Sequence, residues 1–163
     1  MFEARVLEAG DKPVFYRELV EQLEALLHGE RNPVANAANT AALLFQLMPE
    51  LNWAGFYFMR GGELVLGPFQ GKPACVRIAV GQGVCGTAAA DARSVLVPDV
   101  HAFPGHIACD GASRSELVVP LVRSGAVLGV IDLDSPVEGR FDRDDQDGVE
   151  TVAAAYLAGS DLG

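Results

Sequence analysis

The stretch NWAGFYFMRGGELVLGPF, residues 52–69, decides the fold. Two runs of aromatic and aliphatic residues, 52–59 and 63–69, flank Gly61-Gly62. Paired glycines accept the positive φ of a tight turn, so the stretch reads as an antiparallel hairpin. Downstream, CVRIAV (75–80) reads as a third strand, GQGVCGTAAA (81–90) as a Gly-rich turn leading into a short helix, and SVLV (94–97) as a short strand. RSELVVPLV and AVLGVIDLD then form a second hairpin around Ser124-Gly125.

Upstream, residues 11–29 read as a helix capped by Asp11, with Pro13 in its first turn, a leucine stripe and Gly29 at its end. A second helix runs from Pro33 to Met48 behind Asn32, and its alanine-rich face suits close packing on the first helix or on a partner. A last helix starts near Asp142, carries acids in its first turn and ends at Gly159. The order α-α-β-β-β-α-β-β-β-α predicts an α+β domain with an antiparallel sheet, its terminal helices covering one face. The other face is left to the Gly-rich segment and to a long loop, PDVHAFPGHIACDGAS (98–113), and a ligand can sit beneath them. Loops of that length in a compact domain are usually functional.

The 163 residues fit one domain, 1–163, and 50% hydrophobic with 21% charged residues excludes disorder. Twelve Lys and Arg against 22 Asp and Glu give a formal charge of −10, which argues against nucleic acid and anionic membrane surfaces. No run approaches the roughly 18 apolar residues of a membrane span. The start MFEARVLEAGDKP carries acids and no apolar core, so a cytoplasmic location is expected and the three cysteines read as reduced thiols.

Asp132 and Asp134 share one face of the last strand, because strand side chains alternate. Glu116, on the partner strand, joins them if the turn has three residues, Arg123-Ser124-Gly125, which sets it opposite Asp132. A two-residue turn sets it opposite Leu133, on the wrong face. The position of the glycine favours the longer turn. Three converging carboxylates suit a general acid, an ammonium group or a divalent metal, and one of them should hold its proton near neutrality. Trp53 and Tyr57, four apart on one strand, form an aromatic wall suited to a methyl-sulfur group or a cation.

The cysteines have no CxxC spacing. Cys85 opens a predicted helix, where the dipole lowers a thiol pKa, and Cys109 lies between His106 and Arg114, also an activating setting. The residues alone leave these two tied as nucleophile, and Cys75 begins a strand. His101, His106 and Cys109 match no familiar zinc spacing, and no resident metal is expected. GQGVCG lacks the Lys and Ser/Thr of a phosphate loop.

Five strings, LGPFQGKPAC, GVCGTAAA, VPDVHAFPGHIACD, SRSELVVPL and GVIDLDSP, together resemble the free methionine-(R)-sulfoxide reductases, small GAF-domain enzymes. The resemblance is strongest from Leu51 to Phe141. It implies a GAF-like fold, a six-stranded antiparallel sheet with helices on one face and a loop-covered pocket on the other, usually dimeric. It implies reduction of free L-methionine (R)-S-oxide with no bound cofactor and with thioredoxin as the usual external dithiol. It matches Cys109 to the nucleophile, Cys75 to the principal resolving cysteine and Cys85 to the third. It matches Glu116, Asp132 and Asp134 to the acidic pocket, and Trp53 and Tyr57 to the aromatic wall. Within it, Glu116 is the candidate acid supported by Asp134, Asp132 pairs with the substrate ammonium, and Cys85 either resolves or packs. A ligand-binding GAF module without catalysis and a Cys/His metal protein are the competing readings.

Overall fold

The computed structural model describes residues 1–163. Its element order is α1 (Lys12–Leu27), α2 (Pro33–Leu47), β1 (Trp53–Arg60), β2 (Glu63–Gly71), β3 (Arg77–Ala79), α3 (Gly83–Asp91), β4 (Val95–Val97), β5 (Ser115–Arg123), β6 (Ala126–Ser135) and α4 (Arg143–Gly159). The strands form one antiparallel sheet in the order β3-β2-β1-β6-β5-β4.

The helix ends follow local chemistry. Asp11 accepts the Val14 N–H and Asn32 accepts those of Val34 and Ala35, each just before a proline-led first turn. Asp142 and Asp145 cap α4 reciprocally, each side chain taking the other's backbone N–H. The β1–β2 turn is the expected two-residue one, since Arg60 pairs with Glu63.

Strand alternation sorts the apolar residues into two cores. Ala54, Phe56, Phe58, Leu117, Val119, Ile131 and Leu133 point to α1, α2 and α4, meeting Leu19, Leu23, Leu44, Val149 and Tyr156. Each fully buried leucine contributes about 1.5–3 kcal/mol. Trp53, Tyr57, Val118 and Val130 point the other way, under α3 and the 98–113 segment, with Val84, Cys85, Ala88 and Val100. Helices α1, α2 and α4 therefore occupy one face, and α3 with a smaller, partly polar core occupies the other.

Three expectations change. The β5–β6 turn has two residues, not three: Arg123 pairs with Ala126, and Ser124 and Gly125 take φ of 52° and 78°. Taken alone, that turn would put Glu116 on the wrong face. A bulge corrects it: Val122 faces Val127 but Leu121 faces Gly129, leaving Leu128 without a partner, and Glu116 lands opposite Asp134 rather than Asp132. The third strand is shorter than expected, so Cys75 lies in the connection ahead of β3. Of the two packings open to the alanine face of α2, the chain's own core takes Ala37 and Ala41, which are fully buried, while Ala35 and Ala38 stay exposed.

Candidate active site

The pocket lies on the α3 side of the sheet. Trp53 and Tyr57 come from β1, Glu116 from β5, and Asp132 and Asp134 from β6, so all five predicted residues line one cavity. Cys85 reaches it from the first turn of α3 and Cys109 from the long loop, and the connection ahead of β3 supplies Lys72, Pro73 and Ala74.

Trp53 stacks at 6.0 Å on Tyr57 and at 5.2 Å on Phe69. Its indole N–H donates to the Lys72 carbonyl at 3.0 Å, and the Tyr57 hydroxyl donates to the Cys75 carbonyl at 2.9 Å. The aromatic wall thus also holds the Cys75 segment against the sheet.

Glu116 and Asp132 are each only 6% exposed, which excludes a solvated strand end for this pair. Burial pushes both carboxyls well above their usual range, reinforced for Glu116 by the charge of Asp134 and for Asp132 by that of Glu116. Asp134 is raised by burial and by the charges of Asp132 and Asp110. Asp132 Oδ1 is buried without a hydrogen-bond partner. An acceptor left in that state is costly unless a ligand donates to it. His106 Nε2 lies 3.5 Å from Glu116 Oε2, and burial lowers the imidazole pKa, favouring its neutral form.

The two cysteines that the residues alone left tied are separated here. Cys85 is buried, and burial followed by the charges of Asp132, Glu116 and Asp134 drives its thiol well above the ordinary value. The expected activation by the helix N-terminus is therefore outweighed. Cys109 is joined to Cys75 in a disulfide with Cα atoms 5.9 Å apart. That bond also removes Cys109 from any cluster with His101 and His106. The Arg114 guanidinium donates to Glu138 at 2.8 Å.

Asp110 and Ser113 line the pocket, and neither they nor Asn52 behind them was singled out from the sequence. Asn52 Nδ2 donates to Asp110 Oδ2 at 3.2 Å and to Ser113 Oγ at 3.0 Å, tying the end of the long loop to the start of β1. Asp110 also accepts the Ala112 N–H at 2.9 Å and stands 3.7 Å from Lys72 Nζ. The Asp110-Gly111 pair, a turn former directly after Cys109, was the available signal.

The GAF domain family matches residues 14–156. The free methionine-R-sulfoxide reductase of Escherichia coli is 51% identical over 144 residues, 88% of this chain and 87% of that one. The protein of the same name from Saccharomyces cerevisiae is 46% identical over 148 residues, 83% of this chain and 82% of that one. An X-ray structure of free methionine-R-sulfoxide reductase from Neisseria meningitidis, in complex with its substrate, superposes with a TM-score of 0.93 at 43% identity, covering 98% of this chain and 95% of that one. With a sheet, pocket and cysteine pair of this design, and relatives this similar over nearly their whole length, the chain belongs to the free methionine-R-sulfoxide reductase family of GAF-domain proteins.

Proposed function

We propose that the protein reduces free L-methionine (R)-S-oxide to L-methionine, with Cys109 as nucleophile and Cys75 as resolving cysteine. The observation that carries the reading is the Cys75–Cys109 disulfide at a cavity floored by buried carboxyls. That bond is the form such an enzyme takes after one turnover.

In the reduced enzyme Glu116 presents a protonated carboxyl to the sulfoxide oxygen, which makes the sulfur electrophilic. The Cys109 thiolate takes over that oxygen: the substrate S–O bond breaks, methionine leaves reduced by two electrons, and Cys109 becomes a sulfenic acid carrying the proton from Glu116. The Cys75 thiol then attacks the Cys109 sulfur, water leaves and the disulfide forms. An external dithiol, in our reading thioredoxin, returns both thiols. Asp132, whose Oδ1 lacks a donor, accepts from the substrate ammonium, and Trp53 with Tyr57 packs against the methyl-sulfur end. Asp134 supports the raised pKa of Glu116. Cys85 packs beside these groups as a protonated thiol.

The family resemblance supports a cytoplasmic homodimer formed by a single domain. No helix is long and apolar enough to cross a membrane. The deciding experiment mixes the reduced protein with a dithiol and each sulfoxide epimer and quantifies methionine. Catalytic methionine from the free (R)-epimer is expected, and none above the dithiol blank would overturn the reading.

A further inference from the structure

Cys85 is the one free cysteine of this disulfide form, and the sulfoxide chemistry leaves its thiol without a task. Its sulfur, one oxygen of Glu116 and one of Asp132 lie within 4.8 Å of one another, and all three residues are buried. A tetrahedral cation 2.0–2.3 Å from each needs ligand atoms roughly 3.3–3.8 Å apart, so these side chains have at most about 1.5 Å to close around it. A second observation concerns the same pocket-lining residue: Asp132, only 6% exposed, leaves its Oδ1 without a hydrogen-bond partner although Cys85 and Glu116 lie beside its carboxyl.

We propose that this pocket also binds a zinc-like divalent cation through Cys85, Glu116 and Asp132, in place of the substrate ammonium. The donor set selects the metal class. A thiolate among two carboxylates favours zinc or cobalt over magnesium and calcium, which prefer oxygen ligands alone. Three protein ligands leave one position of a tetrahedron open, and the imidazole of His106, 3.5 Å from Glu116 Oε2, borders the cluster. The cation releases protons as it binds, since each ligand must be deprotonated. It also covers the acceptor assigned to the substrate ammonium, so a bound cation excludes substrate; only this consequence rests on the reductase reading.

The disulfide form isolates the site, because Cys75 and Cys109 are then bonded to each other and Cys85 supplies the only thiolate. Titrating that form with Co²⁺ should give a thiolate-to-cobalt charge-transfer band saturating near one equivalent, which Zn²⁺ abolishes and Mg²⁺ does not. Cys85→Ala should lose the band. Asp132→Asn, with native circular dichroism, should keep the fold and bind cobalt at least tenfold more weakly. No band in the disulfide form, a band that survives Cys85→Ala, or Asp132→Asn binding as tightly as the parent would overturn the proposal. Methionine is not measured in any arm, so these outcomes do not depend on whether the protein reduces sulfoxides.

Discussion

Glu116 stands directly across from Asp134, and it does so because Leu128 has no partner in the ladder. One unpaired residue between the β5–β6 turn and the pocket rotates the acidic face by one strand position. Without it, the two-residue turn would aim Glu116 at the helices.

Glu116→Gln keeps the shape and removes the donated proton. Turnover of the free (R)-sulfoxide should fall by on the order of 100-fold or more, with the thermal midpoint little changed. The check is initial-rate methionine formation with a dithiol. Turnover within twofold of the parent removes Glu116 from the acid role.

The cysteine roles separate in a single turnover. Cys109→Ser should form no methionine, because a hydroxyl is a poor nucleophile near neutral pH. Cys75→Ser should form about one equivalent and stop at a sulfenic acid, which dimedone traps and mass spectrometry reads.

An N-acetylated substrate probes Asp132. Its Oδ1 lies buried without a donor, so removing the ammonium charge should cost at least tenfold in kcat/KM. Equal kcat/KM for the free and acetylated (R)-sulfoxides would assign the ammonium to another group.

Gly148 tests α4 against α1. An alanine there gains about 1 kcal/mol of helix propensity. Its Cβ, however, would sit 2.1 Å from the Tyr16 ring, which is held by a 2.7 Å hydrogen bond to Asp145. Overpacking of that kind costs about 1–3 kcal/mol, so Gly148→Ala should destabilise in urea, and its cost should shrink when it is measured in a Tyr16→Ala background.

Acid should loosen the start of α4. The hydrogen bond from Lys12 holds the Asp142 carboxyl below its usual range. A depressed folded pKa adds stability above the unfolded value and loses it as pH falls through the folded one, here below about pH 4. Asp142 is more than half exposed, so the effect is a few tenths of a kcal/mol. Urea midpoints of Lys12→Met should show a correspondingly flatter acid limb.

The parts of the fold written in local chemistry were legible before the structure. Asp11, Asn32 and Asp142 marked helix starts, and Gly61-Gly62 marked the first hairpin, because caps and tight turns depend on a few adjacent residues. The bulge was not legible, since Leu128 is an apolar residue among apolar neighbours and nothing local marks it as unpaired. The truncation of β3 was hidden for a similar reason: Cys75 is held by a bond to a residue 34 positions away. Helix position alone suggested an activated Cys85, but burial, reinforced by three carboxyls from two other strands, keeps its thiol protonated. The eight candidate residues were readable as types, while the roles proposed for them turn on depth beneath the surface.

The disulfide has a consequence for the chain as a polymer. It ties together residues 34 positions apart, and closing such a loop removes about 3–4 kcal/mol of entropy from the unfolded ensemble. The disulfide form is then the sturdier of the two, and the dithiol form is the more easily unravelled. In the proposed cycle, each round of chemistry knots and unknots the same polypeptide. A cell short of reducing power would accumulate this protein in the form that resists degradation best.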